Sequence, residues 1–150
     1  MKNEALYSER VIPRLSSFLP LALLLPVGWL TTAMFAPLIG LGVGVIIALV
    51  SAAFMLHFSP VIEIDEKYFA LGSARIPISK LGKARVITGK DVFQERGPKL
   101  DARAFVQFQS SVKQMVKVEI RDSVDPTPYW LFSTRNAEEV VRLLSKKRSN

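Results

Sequence analysis

The sequence predicts an α+β membrane protein: a two-helix transmembrane hairpin, then a small antiparallel β domain of about seven strands closed by a C-terminal helix. Three observations predict it. No Asp, Glu, Lys or Arg occurs from Leu15 to Phe58, the pattern after Pro60 alternates with period two, and the last segment returns to helical spacing.

Composition narrows the function classes. Of 150 residues, roughly 90 remain for a soluble unit once the apolar block is set aside, enough to bury a single core. With no cysteine, disulfides, thiolate metal sites and thiol catalysis are excluded together, and one histidine, His57, leaves little for zinc. The 20 basic residues outnumber the 13 acidic ones, giving +7, and all the basic residues except Lys2, Arg10 and Arg14 follow the apolar block. Such a charge beside a membrane predicts a cytoplasmic face and attraction to anionic lipid headgroups. Nucleic acid is disfavoured as a partner, since acids are interspersed among the bases and no reading motif accompanies them.

A span needs about 20 residues at 1.5 Å rise, so the apolar block is two spans and a turn. The break is expected at Ala36-Pro37, because proline lacks the backbone donor and disfavours helix in the residue before it. The spans are then Leu15 to Phe35 and Leu38 to Phe58, within a hairpin covering 15–58. Residues 1–14 form an N-terminal segment and 60–150 the β domain. Arg14 precedes the first span, the turn is uncharged, and Lys67, Arg75 and Lys80 follow the second, which predicts a multi-pass protein of the cell membrane with both termini cytoplasmic. A cleaved signal peptide is not expected: the apolar run is too long, a second span follows at once, and Met34-Phe35-Ala36 is a poor cleavage site.

Pro20 and Pro26 are expected to kink or loosen the first helix. Gly40 and Gly44 form a G-x-x-x-G pair in the second, which permits close backbone approach. Packing of the two spans on each other is the simpler use of that pair, and homo-oligomerisation is the alternative. His57 falls at the inner end of the second span, where a neutral hydrated imidazole is the common case.

Beyond Pro60, Ile62 and Ile64 alternate with Glu63 and Asp65, and Val116, Val118 and Ile120 with Lys117, Glu119 and Arg121, so both stretches read as strands with one wet face. Ala104, Val106 and Phe108 make a third, with Phe105 on its polar side. Shorter strands are predicted at Tyr68 to Leu71, Arg75 to Ile78, Ala84 to Thr88 and Tyr129 to Ser133, separated by glycine-containing turns. The final helix, 136–148, starts with Asn136 and Glu139 at capping-box spacing and carries Ala137, Val140, Val141 and Leu144 on one face. That stripe has only the sheet to bury against. Element order is therefore that of the pleckstrin-homology superfold, an analogy of architecture that implies no ligand.

The densest motif is Asp122 to Arg135. Asp125-Pro126 initiates a turn, Pro126 and Pro128 fix the backbone, and Tyr129-Trp130-Leu131-Phe132 opens a strand with large side chains on both faces. One reading is a hairpin connection followed by core aromatics. The other is a contact surface in which Trp130 or Tyr129 anchors a partner and Arg135 pairs with a carboxylate or phosphate. Asp101 and Arg103, two apart, are expected to pair, with Asp122 or Arg135 completing a network.

The tracts G-P-K-L-D-A-R-A (Gly97 to Ala104) and D-P-T-P-Y-W-L-F-S-T-R (Asp125 to Arg135), with Y-S-E-R ahead of the spans, resemble an actinobacterial family of small two-span membrane proteins of unknown function. The resemblance covers nearly the whole chain and implies a membrane location without supplying an activity. Its matching positions, as candidate family features, are Asp101, Arg103, Asp125, Pro126, Thr127, Pro128, Tyr129, Trp130, Ser133, Thr134 and Arg135, and all of these except Ser133 and Thr134 are candidate interaction residues.

No phosphate-binding loop, dinucleotide fingerprint or nucleophile elbow is present, so no enzyme, cofactor or catalytic residue is expected, and no metal site. The expectation is a non-enzymatic membrane protein whose β domain binds a protein partner or the anionic lipid surface. The alternative is an accessory subunit recognised through its hairpin.

Overall fold

A computed structural model describes residues 6–148. Residues 1–5 of the N-terminal segment and 149–150 of the β domain lie outside the described residues. Those described form two compact units, residues 12–59 and the combination of 6–11 with 60–148.

In the first unit, residues Leu15–Leu23 wind as a 3-10 helix around Pro20, and α1 (Leu24–Thr32) follows with Pro26 in its first turn, where a missing N–H costs least. The prolines thus set the change of helix type. Phe35 and Ala36 donate to the Thr32 carbonyl in the turn, and Pro37 is the first residue of α2 (Pro37–His57), where the sequence places the break. Leu15–Thr32 and Pro37–His57 are each long and apolar enough to cross a membrane, with mean hydropathies of 1.5 and 2.5. Large apolar side chains such as Leu19, Leu38, Leu49 and Phe54 are exposed on them.

Helix crossing is set by three glycines. A Cβ on Gly28 would stand 2.5 Å from the Gly40 carbonyl oxygen, one on Gly44 would stand 2.6 Å from that of Leu24, and one on Gly40 would collide with Gly28 and Thr32. Only residues without a side chain let the two backbones approach this closely. Gly40 and Gly44 are therefore spent on packing within the chain, and Gly28 is the partner that their spacing alone does not reveal.

The second unit contains two four-stranded sheets. The first has the order β1 (Tyr7–Arg10), β2 (Val61–Ile64), β3 (Tyr68–Leu71) and β4 (Ala74–Pro77), all antiparallel, with Arg10 opposite Val61 and Phe69 opposite Ile76. The second has β5 (Leu81–Ile87), β7 (Met115–Ile120), β8 (Tyr129–Ser133) and β6 (Phe105–Gln107) side by side. Two corrections follow. Strand β1, within a segment to which the sequence assigns no element, joins the first sheet, and β6 runs parallel to β8, so the sheets are not wholly antiparallel. A four-residue strand ahead of the apolar block has too little alternation to announce itself, and its partner lies beyond the hairpin.

Strand alternation puts Ile62, Ile64, Phe69 and Leu71 inside, against Trp130 and Phe132 from the second sheet; the Phe69 ring lies 5.4 Å from Trp130 and 5.5 Å from Phe132. Helix α4 (Ala137–Arg148) buries Ala137, Val140 and Leu144 in this same core. The opposite face of the second sheet carries Ile87, Met115, Tyr129 and Leu131 beneath Val92, Leu100, Ala104 and Phe108. Val92 belongs to α3 (Lys90–Arg96), a helix the sequence reading lacks: it is seven residues long and turns inward Glu95, an ionisable side chain that spoils any apolar stripe.

Candidate functional site

The aromatic part of the Asp122 to Arg135 tract lies in the interior. Tyr129, Trp130, Leu131, Phe132, Ser133 and Thr134 are all buried, Trp130 with 4% of its surface exposed, because β8 lies between the two clusters and has no wet face. Burial of both rings is what the reading of the tract as a connection followed by core aromatics expects. Ahead of them, Asp125 accepts the Thr127 amide at 2.9 Å and Pro128 offers its carbonyl to Ile120, so Pro126, Thr127 and Pro128 shape the connection between β7 and β8. Asp101 and Arg103 do pair, at 3.0 Å between side chains, but in a turn rather than a strand. The hydrogen bond from Arg103 is the largest cause holding the Asp101 carboxyl down to about 2. Asp122 pairs instead with Lys80 at 2.6 Å, and the Arg135 backbone amide donates to Glu9. His57 ends α2, edge-on to Phe58.

Two of the matching tracts meet. Glu9 accepts the Tyr7 hydroxyl at 2.7 Å, the Thr134 hydroxyl at 2.5 Å and the Arg135 amide at 3.0 Å, while the Asn136 amide group donates to the Tyr7 hydroxyl. Ser133 accepts the Gln109 amide, and the Gln109 side chain donates to the carbonyl of fully buried Val11. The Val11 amide donates to the carbonyl of Pro60. Here the strand before the hairpin is locked to the end of β8, which makes this cluster an architectural joint.

A groove of about 670 Å³ has a different character. Lys83 and Arg85 of β5, Lys117 and Glu119 of β7, and Arg148 of α4 line it. Period-two alternation brings Lys83, Arg85, Lys117 and Glu119 to one side of the sheet. A register irregularity between Leu81 and Ala84 re-aims Lys83, and Gly82 makes it feasible, since a Cβ there would lie 2.7 Å from that of Glu119. Buried Glu95 accepts Arg85 and Lys117, each at 2.7 Å, and the Lys117 ammonium stands 3.8 Å from the centre of the Tyr129 ring. Burial works to raise the Glu95 carboxyl, but the hydrogen bond and charge of Lys117, with Arg85 and Lys99 behind them, outweigh it and leave Glu95 below the usual carboxylate range. Arg148 is fixed by a 2.7 Å bond to the Gly82 carbonyl. Cations from three elements are thus held in place around one opening.

A second groove, of about 440 Å³, shares Arg148 with the first and adds Lys67, Glu66 and Lys147. The sequence shows these residues only as wet strand faces and a basic helix end; their convergence depends on the crossing of α4 over β5. Among the described residues, no group of three His, Asp or Glu side chains is placed to hold a metal ion.

Fold and site together define an α+β protein in which an apolar two-helix hairpin interrupts a β unit between its first and second strands. The chain belongs to the family described as Protein of unknown function (DUF3093), whose model matches residues 6–144. No curated protein and no solved structure matches it.

Proposed function

We propose that the chain is a non-enzymatic, multi-pass protein of the cell membrane, whose hairpin spans the bilayer and whose β unit is a cytoplasmic binding module for a protein partner. The observation that carries this reading is the pairing of β1 with β2. Arg10 stands opposite Val61, so the chain leaves one sheet, runs through the apolar helices and returns to the neighbouring strand of the same sheet. An even number of crossings is the only arrangement that keeps such a sheet intact. The clustering of positive charge after the hairpin supports the cytoplasm as its side.

Exposed apolar side chains around both helices support insertion, because a continuous surface of that kind in water would drive aggregation. The family match spans β1, the hairpin and most of α4, consistent with the hairpin being an integral part of the fold. Two sheets closed by a C-terminal helix remain analogous to the pleckstrin-homology architecture, with a further strand and a parallel edge. That analogy adds no ligand.

The test is fractionation of the full chain beside a version in which Ile12–Ser59 is replaced by Asn-Gly, a turn suited to joining antiparallel neighbours. The full chain should stay in the membrane pellet through alkaline carbonate while the shortened chain is soluble and folded. Release of the full chain by carbonate would contradict the reading.

A further inference from the structure

Resting on the anchored-module reading, we infer that the paired grooves at Lys83, Arg85, Lys117, Arg148, Lys147 and Lys67 bind an extended acidic segment of a protein partner. Arg148 lines both grooves, so the cations form one continuous track rather than a single pocket. A track suits a chain of carboxylates better than one headgroup or one small anion. Its cations are pre-organised: Glu95 and the Tyr129 ring hold Lys117, Glu95 holds Arg85, and the Gly82 carbonyl holds Arg148, which lowers the ordering cost of binding.

Chemistry selects a peptide over nucleic acid. Glu119 and Glu66 interrupt the track, which repels a continuous phosphate backbone but accepts a lysine or a backbone N–H of a mixed acidic segment. The two rings in the grooves are already engaged as well, Tyr129 buried beneath Lys117 and the partly exposed Tyr68 stacked against Arg75.

The experiment uses the full chain in phosphatidylcholine nanodiscs, which leave both membrane faces accessible, and the fluorescence anisotropy of a labelled ten-residue oligoglutamate. Binding that weakens with salt is expected, together with at least a tenfold loss in Lys83→Glu/Arg148→Glu and no comparable loss in Lys90→Glu/Lys113→Glu, which changes net charge equally away from the grooves. A Lys83→Ala/Lys147→Ala pair repeats the test if a reversal prevents folding. No binding, or equal loss in both charge-reversed pairs, overturns the assignment. So does preferential binding of oligothymidylate or of phosphatidylserine nanodiscs with the same sensitivity to substitution. A chain that fails to enter nanodiscs refutes the membrane reading instead, so the two failures are distinct.

Discussion

Thr134 donates its hydroxyl to the Glu9 carboxylate at 2.5 Å, tying the strand that precedes the hairpin to the end of the last strand. Glu9→Ala removes the acceptor of the fully buried Thr134 hydroxyl and of the Arg135 amide, and should cost about 2 kcal/mol. Amide exchange should accelerate in β1 well before β3. Uniform acceleration across the first sheet would show that Glu9 does not act as the joint.

The same joint has an alkaline signature. Burial, then the hydrogen bond to Glu9, pushes the Tyr7 hydroxyl up to about 12 from an ordinary value of 10.0. Because the folded value is the higher one, this stabilisation is whole below pH 10 and is lost as pH rises towards 12. Phenolate absorbance should contain a late component that disappears in Tyr7→Phe; its persistence would assign it elsewhere.

Glu95→Ala removes the shared partner of Arg85 and Lys117, and should destabilise the β unit by about 3 kcal/mol because Lys117 is left little exposed and unpaired. Glu95→Ala/Lys117→Met should recover most of the loss. The Glu95 carboxyl is held below 4.5, so its contribution is present above that pH and is lost as pH falls through its lower folded value. Thermal melts across that acid range should flatten in the double variant.

At the helix crossing, Gly28→Leu and Gly40→Leu should each separate α1 from α2, at a cost of about 1–3 kcal/mol, whereas Gly42→Leu meets nothing within 4 Å and should be tolerated. Distances between spin labels on the two helices report the change. Equal effects at all three positions would contradict the seam.

Trp130→Ala should cost about 3–5 kcal/mol of β-unit stability, measured by denaturant unfolding, since the ring packs 5.4 Å from Phe69 and 5.1 Å from Phe105. A stable variant that has lost only partner binding would restore the contact-surface reading.

How much was legible from sequence depended on how local the signal was. The charge-free run, the Ala36-Pro37 break, the alternation at Ile62–Ile64 and Val116–Ile120, and the helix after Asn136 are carried by neighbouring residues, and all reappear in the structure. β1 was hidden because its pairing partner is separated from it by the hairpin. α3 was hidden because Glu95 faces inward to meet two cations. For Trp130 and Tyr129 the sequence leaves core and contact surface both open, because their strand has a buried environment on both sides, which no alternation pattern can announce. The basic track escaped for the same reason as Gly28: its members lie on different elements and meet only through tertiary packing.

The most direct test of the central claim exploits the absence of cysteine. Single cysteines at Met34 in the turn between the helices, at Ser73 between β3 and β4, and at Ser123 between β7 and β8 can be probed in intact cells with a membrane-impermeant maleimide. Met34→Cys should react from outside, while Ser73→Cys and Ser123→Cys should react only after permeabilisation. Labelling of Ser73→Cys and Ser123→Cys on opposite faces, or of all three from the cytoplasmic side, would contradict a hairpin that crosses the bilayer twice and returns to its own sheet.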